Sequence, residues 1–173
     1  MRCLFRDAFI PDEWVLAAPC EDYVAHIRPG FILTQVGMGL GLTASCIELM
    51  QRSNKRLGHV NRFLDDQVDD LATDLQVARQ HTYQLADQLN DCVGLADRPL
   101  IQGIIQARIT AAELSLRSSQ SAMLHAGARA YIHGNPVERK LREAYFVAIV
   151  TPALKHLKKM LAEMQETGVA ILP

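Results

Sequence analysis

The stretch His125-Ala-Gly-Ala-Arg-Ala-Tyr131, followed by Pro136-Val-Glu-Arg139, Arg142-Glu-Ala144 and Val150-Thr-Pro152, decides the fold. It opens on small residues, crosses a His133-Gly134-Asn135 break and enters a helical segment that Pro152 interrupts. Small residues let a backbone come close to a partner or ligand. A proline inside a helical pattern kinks or splits it and frees backbone groups. Helices built this way have two places where they can lie against something flat. From Pro136 to about Gln165, Leu141, Tyr145, Ala148, Leu154, Leu157 and Leu161 recur at helical spacing. Lys155, Lys158 and Lys159 stand late in that segment, where cations suit the helix dipole. Thr167-Gly168 is expected to end it, leaving Val169 to Pro173 as a tail.

Toward the N-terminus, the turn Gly94-Leu-Ala-Asp-Arg-Pro99 carries Asp97 as a cap and a proline in the first helical turn. A helix is expected from about Leu100 to Met123, with Ile101, Ile105, Ile109, Ala112 and Leu116 as its stripe. Another is expected from about Asn61 to Cys92, along a seam of Leu64, Val68, Leu71, Leu75, Leu85 and Leu89. Asp65, Asp66, Asp69, Asp70 and Asp74 lie near its start, where carboxylates complement the helix dipole; Asp65, Asp69 and Asp70 read as a solvated face, with a metal cluster as the alternative. The first helix is expected from Phe31 to Asn54. Its Gly37, Gly39 and Gly41 cost roughly 1 kcal/mol each relative to alanine. They imply close helix packing or close approach of a ligand chain. Before it, Leu4 to Pro11 reads as a short strand stopped by proline.

The expected architecture is all-α: an up-down four-helix bundle over 31–173, with an extended segment over 1–30. At 173 residues the chain suits one core. A net charge of −1 excludes nucleic-acid binding through a basic field. The four cysteines show no C-x-x-C spacing and read as reduced thiols. No apolar run reaches the roughly 18 residues expected of a membrane span. The first residues lack a signal-peptide core, so a cytoplasmic location is expected. His81, His125, His133 and His156 form no metal spacing and read as ordinary helix or loop histidines.

The Gly127–Ala144 region resembles the C-terminal helical domain of the flavin-dependent acyl-CoA dehydrogenases. There a Gly-Gly-x-Gly-Tyr turn meets the flavin dinucleotide across a subunit interface. A Pro-Val-Glu-Arg-x-x-Arg-Asp-Ala helix follows, then a Tyr-Glu-Gly-Thr turn carrying the catalytic base. Here the first motif has become Gly127-Ala-Arg-Ala-Tyr131, and Thr151 stands where the base would be. A threonine hydroxyl with no adjacent base cannot remove an α-proton at neutral pH. Some members carry the carboxylate on the first helix instead. Ile27 to Phe31 holds no acid, and Glu21 and Asp22 would have to fold back to serve.

The resemblance implies FAD as cofactor, an acyl-CoA-type substrate, fatty acid metabolism and a homodimer or homotetramer. It makes the segment over 1–30 the remnant of a β-domain strand and loop, and places most flavin contacts in parts of the family's longer chain. It assigns cofactor contacts to Gly127, Ala128, Arg129, Gln120 and Arg56. The residue-level alternatives stay open. Thr151 caps the helix that restarts at Pro152 or bonds a flavin. Arg129 meets a pyrophosphate or caps the preceding helix. Gln120 touches ligand or crosses helices as a buried amide, and Arg56 reaches a phosphate or is solvated. A flavin-dependent monooxygenase of the same fold, lacking the glutamate, suits Thr151. A non-catalytic association module is the third reading.

Overall fold

Asp97 starts the central helix of the protein as the sequence predicts, its side chain accepting a hydrogen bond from the Leu100 amide at 3.0 Å. Asn135 does the same for the Pro136 helix, accepting from the Val137 amide at 2.9 Å. In the computed structural model, which describes residues 3–167, five α-helices follow one another. They are α1 (Glu21–Asn61), α2 (Val68–Asn90), α3 (Arg98–Ala126), α4 (Pro136–Ile149) and α5 (Leu154–Thr167). The fourth rod of the bundle is α4 and α5 together, split at Pro152 where the pattern predicted a break. The predicted helix end at Thr167-Gly168 and the tail beyond it lie outside the described residues.

The central pair is α1 and α3, and each of the other rods packs against them. One core unites Val36, Leu40 and Met50 of α1, Leu71 of α2, Ile104 and Ile105 of α3, Ala144 and Val147 of α4, and Leu157 and Met164 of α5. The three glycines of α1 divide in role. A Cβ on Gly39 would stand 2.5 Å from the Ala111 carbonyl oxygen, so close packing with α3 requires glycine there. Gly37 and Gly41 face open space.

Three expectations need correction. The Leu4–Pro11 strand does not form: among the described residues there is no strand, and that segment is irregular and exposed apart from Pro11. An isolated strand has no neighbour to take its backbone groups. The first helix begins at Glu21, ten residues before Phe31, and runs through Pro29. Proline removes one intrahelical bond, but Pro29 is buried, and packing offsets the loss. The same helix runs on past Asn54 to Asn61, so Lys55 to Gly58 is helical rather than a loop, and α2 starts at Val68. Asn54 does not end the helix because its side chain is used in packing, as described below. By length and composition α1 is apolar enough to cross a bilayer, yet 56% of its most apolar window is buried in the bundle, as expected of a core helix.

Candidate functional site

Thr151 lies in the break between α4 and α5, where the last carbonyls of α4 run out of intrahelical partners. Its own carbonyl is held by Gln35 of α1, whose Nε2 donates at 3.0 Å. The break opens a cavity of about 330 Å³ lined by Val24, Ile27, Arg28, Phe31, Ile32, Thr151, Pro152 and Met160. Its walls are apolar, and among the described residues Arg28 is the one charged side chain that lines it. Among the described residues no carboxylate lines it. Glu21 and Asp22 occupy the first turn of α1, exposed, and are absent from the lining. The cavity therefore accepts an apolar chain but offers no general base. The His156 and Leu157 amides of α5 donate to the Ala153 carbonyl, so Ala153 rather than Thr151 starts that helix.

The second cluster of predicted residues stands elsewhere. Gly127 ends α3 with φ +62° and is followed by a short 3₁₀ turn, Gly127–Tyr131. A positive φ is where glycine is favoured, and a Cβ there would meet nothing within 4 Å, so the backbone is open to approach. Ala128 and Arg129 are exposed beside it. Gln120 is exposed on α3, which removes its reading as a buried crossing amide. Arg56 is exposed on α1. Arg129 does not cap α3, whose C-cap is Gly127; its carbonyl accepts from Asn135 at 2.9 Å. An exposed guanidinium next to open backbone fits the phosphates of the dinucleotide that the resemblance implies.

His125 anchors this end. It is fully buried, with Nδ1 2.9 Å from Asn54 Oδ1 and Nε2 2.9 Å from the Asp66 carbonyl oxygen. Its carbonyl accepts from Ser53 Oγ and from Asn61 Nδ2. Asp66 in turn takes Arg117 Nε at 2.8 Å and Ser121 Oγ on its other oxygen. The Arg117 guanidinium bonded to it holds the Asp66 carboxyl below its ordinary range, with the Ser121 hydroxyl helping and partial burial opposing. Arg117 also reaches Asp74 at 2.7 Å. The expected solvated face of Asp65, Asp69 and Asp70 is exposed, while Asp66 beside it is half-buried and paired with Arg117. Among the described residues no group of acids, histidines and cysteines could hold a metal.

The two clusters do not meet. Gln35 holds the Thr151 end and Ser53 holds the His125 end. Along one continuous helix those two residues are roughly 27 Å apart. One chain therefore presents two separate corners rather than one site. Sequence reasoning missed Gln35 and Arg108, which stand behind Thr151, and read His125 as ordinary. A cation at position 108, on the same face as Ile101, Ile104 and Ile105, was the available signal.

A wider groove of about 590 Å³ lies between α2 and α3, lined by Asp74, His81, Glu113 and Arg117 among others, and takes in none of the predicted site residues.

Compared with known families, residues 31–151 match a family model described as "Acyl-CoA dehydrogenase, C-terminal domain". No curated protein matches the chain.

Proposed function

This chain belongs to the acyl-CoA dehydrogenase C-terminal domain family, and from that premise we propose that it forms the helical wall of flavin and acyl-CoA sites completed by other polypeptide. The observation that carries this reading is the apolar cavity at the α4–α5 break, at the position of the family's base. A further support is the open Gly127–Tyr131 turn with Arg129 exposed. The separation of the two corners fits a family in which the turn serves a neighbouring subunit's flavin. Leu4, Phe5, Phe9, Trp14 and Leu16 stand exposed, which suits a surface covered in an assembly.

The chemistry of the cavity is limited by its residues. Flavin, when bound, accepts hydride. Val24, Ile27, Phe31 and Met160 exclude water from an acyl chain. Arg28 attracts the polar end of a ligand. Thr151 donates or accepts a hydrogen bond but removes no α-proton. The absence of an acid from the lining favours a second reading, flavin-dependent oxygenation on the same fold, over proton abstraction.

The test is reconstitution of the purified protein with FAD, followed by octanoyl-CoA. Retained flavin absorbance and octanoyl-CoA binding support the site. Oxygen uptake without enoyl product selects the second reading. Enoyl product that appears only in Thr151→Glu shows that the cavity is an acyl site lacking its base. Absence of both flavin retention and octanoyl-CoA binding counts against both site readings.

A further inference from the structure

Arg108 is fully buried on the apolar side of α3, and among the described residues no ion pair reaches it. Its Nη1 has no hydrogen-bond partner. Its Nη2 donates to the Val147 carbonyl at 2.6 Å, in the last turn of α4, so the negative end of that helix takes the place of a carboxylate. Its Nε donates to Gln35 Oε1 at 3.4 Å. That contact turns the Gln35 amide so that its Nε2 points at, and bonds, the Thr151 carbonyl. Two helices, α1 and α3, are thereby tied to the two ends of the short turn that leaves α4.

Stability does not account for this arrangement. Burial disfavours the charged guanidinium. An apolar side chain of similar volume commonly serves a core as well as a buried ion or better. What an apolar residue cannot do is fix two carbonyls on either side of a helix break.

We infer that Arg108 and Gln35 are positioning residues that seat the α4–α5 break and so set where Thr151 stands in the cavity. The inference concerns the shape of the break; only its ligand rests on the function proposed above. Gln35→Glu separates the two roles. A carboxylate beside Arg108 supplies the missing counter-charge and stays ionised there. As an acceptor only, it cannot donate to the Thr151 carbonyl and repels it.

The experiment follows the methyl resonances of Met160, which lines the cavity, and of Met50, which is buried in the core. It uses the full chain labelled at methionine, with melting temperature and octanoyl-CoA affinity measured beside it. In Gln35→Glu the Met160 signal moves, Met50 stays, and the melting temperature holds or rises. Octanoyl-CoA binding weakens about tenfold, the loss of roughly one good hydrogen bond. Arg108→Lys keeps the charge but not the fork, and moves Met160 in the same way. Ile105→Val lowers the melting temperature and leaves Met160 in place.

An unmoved Met160 with wild-type affinity in a folded Gln35→Glu protein overturns the inference. So does an equal Met160 shift in Ile105→Val. If Gln35→Glu does not fold, Gln35→Met decides by the same signals. Wild-type protein that does not bind octanoyl-CoA counts against the proposed function, while the Met160 shift still decides this inference.

Discussion

At the Gly127 end, α1, α3 and the connection between α1 and α2 are stitched by polar side chains. His125, Asn54, Asn61, Ser53, Asp66, Arg117 and Ser121 bond one another or the backbone there. At the Thr151 break the walls are apolar, and a single buried guanidinium with one amide stands behind them. The first construction gives an exposed turn a rigid base. The second holds an opening in a helix that would otherwise close on itself. The same bundle can thus present a fixed edge and a fitted cavity, one at each corner.

That contrast breaks first at His125. In His125→Ala the Asp66 carbonyl loses its side-chain partner, Asn54 Oδ1 keeps only Asn61, and a cavity remains, so a loss of about 3 kcal/mol is expected in urea unfolding. A loss below about 1 kcal/mol would mean that the polar stitching holds nothing. Next comes the seam between the corners. Gly39→Ala drives a Cβ into the Ala111 carbonyl and should cost about 2 kcal/mol, while Gly37→Ala, in open space, gains about 0.5–1 kcal/mol.

A smaller effect belongs to Asp66. Its carboxyl titrates below the ordinary aspartate range in the fold. Its contribution is therefore complete above the unfolded-state value of about 3.9 and is lost as pH falls through the lower folded value. Asp66→Asn should cost about 1–2 kcal/mol at neutral pH and flatten the acid limb of stability measured by circular dichroism. The smallest effect is at the other corner. Thr151 is exposed, so Thr151→Ala should change stability by no more than about 0.5 kcal/mol. A larger loss would give Thr151 a structural duty and weaken its case as a ligand contact.

Much of the bundle was legible because its signals are local. Asp97 and Pro152 act within a turn of their own positions, as the sequence suggests, and the break before Pro136 ends on Asn135, which caps α4. Gly39 was legible as close packing, but which of three glycines does the packing depends on the rotation of α1 against α3. Boundaries failed where tertiary contacts overrode local signals. Pro29 stays helical because it is buried, and Asn54 stays helical because its side chain meets His125 and Asn61. For the candidate site, the family resemblance pointed to Thr151 and the Gly127 turn as candidates. It could not locate Gln35 or show that the two corners are far apart, since both facts depend on which residues of distant helices face each other.

The most direct measurement is backbone amide mapping of the labelled protein with FAD and, separately, with octanoyl-CoA. FAD should shift amides over Gly127–Tyr131, and octanoyl-CoA those over Ile27–Ile32 and around Thr151, as two sets that do not overlap. Shifts from both ligands at one corner, or from neither ligand at either corner, would contradict a helical wall that serves two sites.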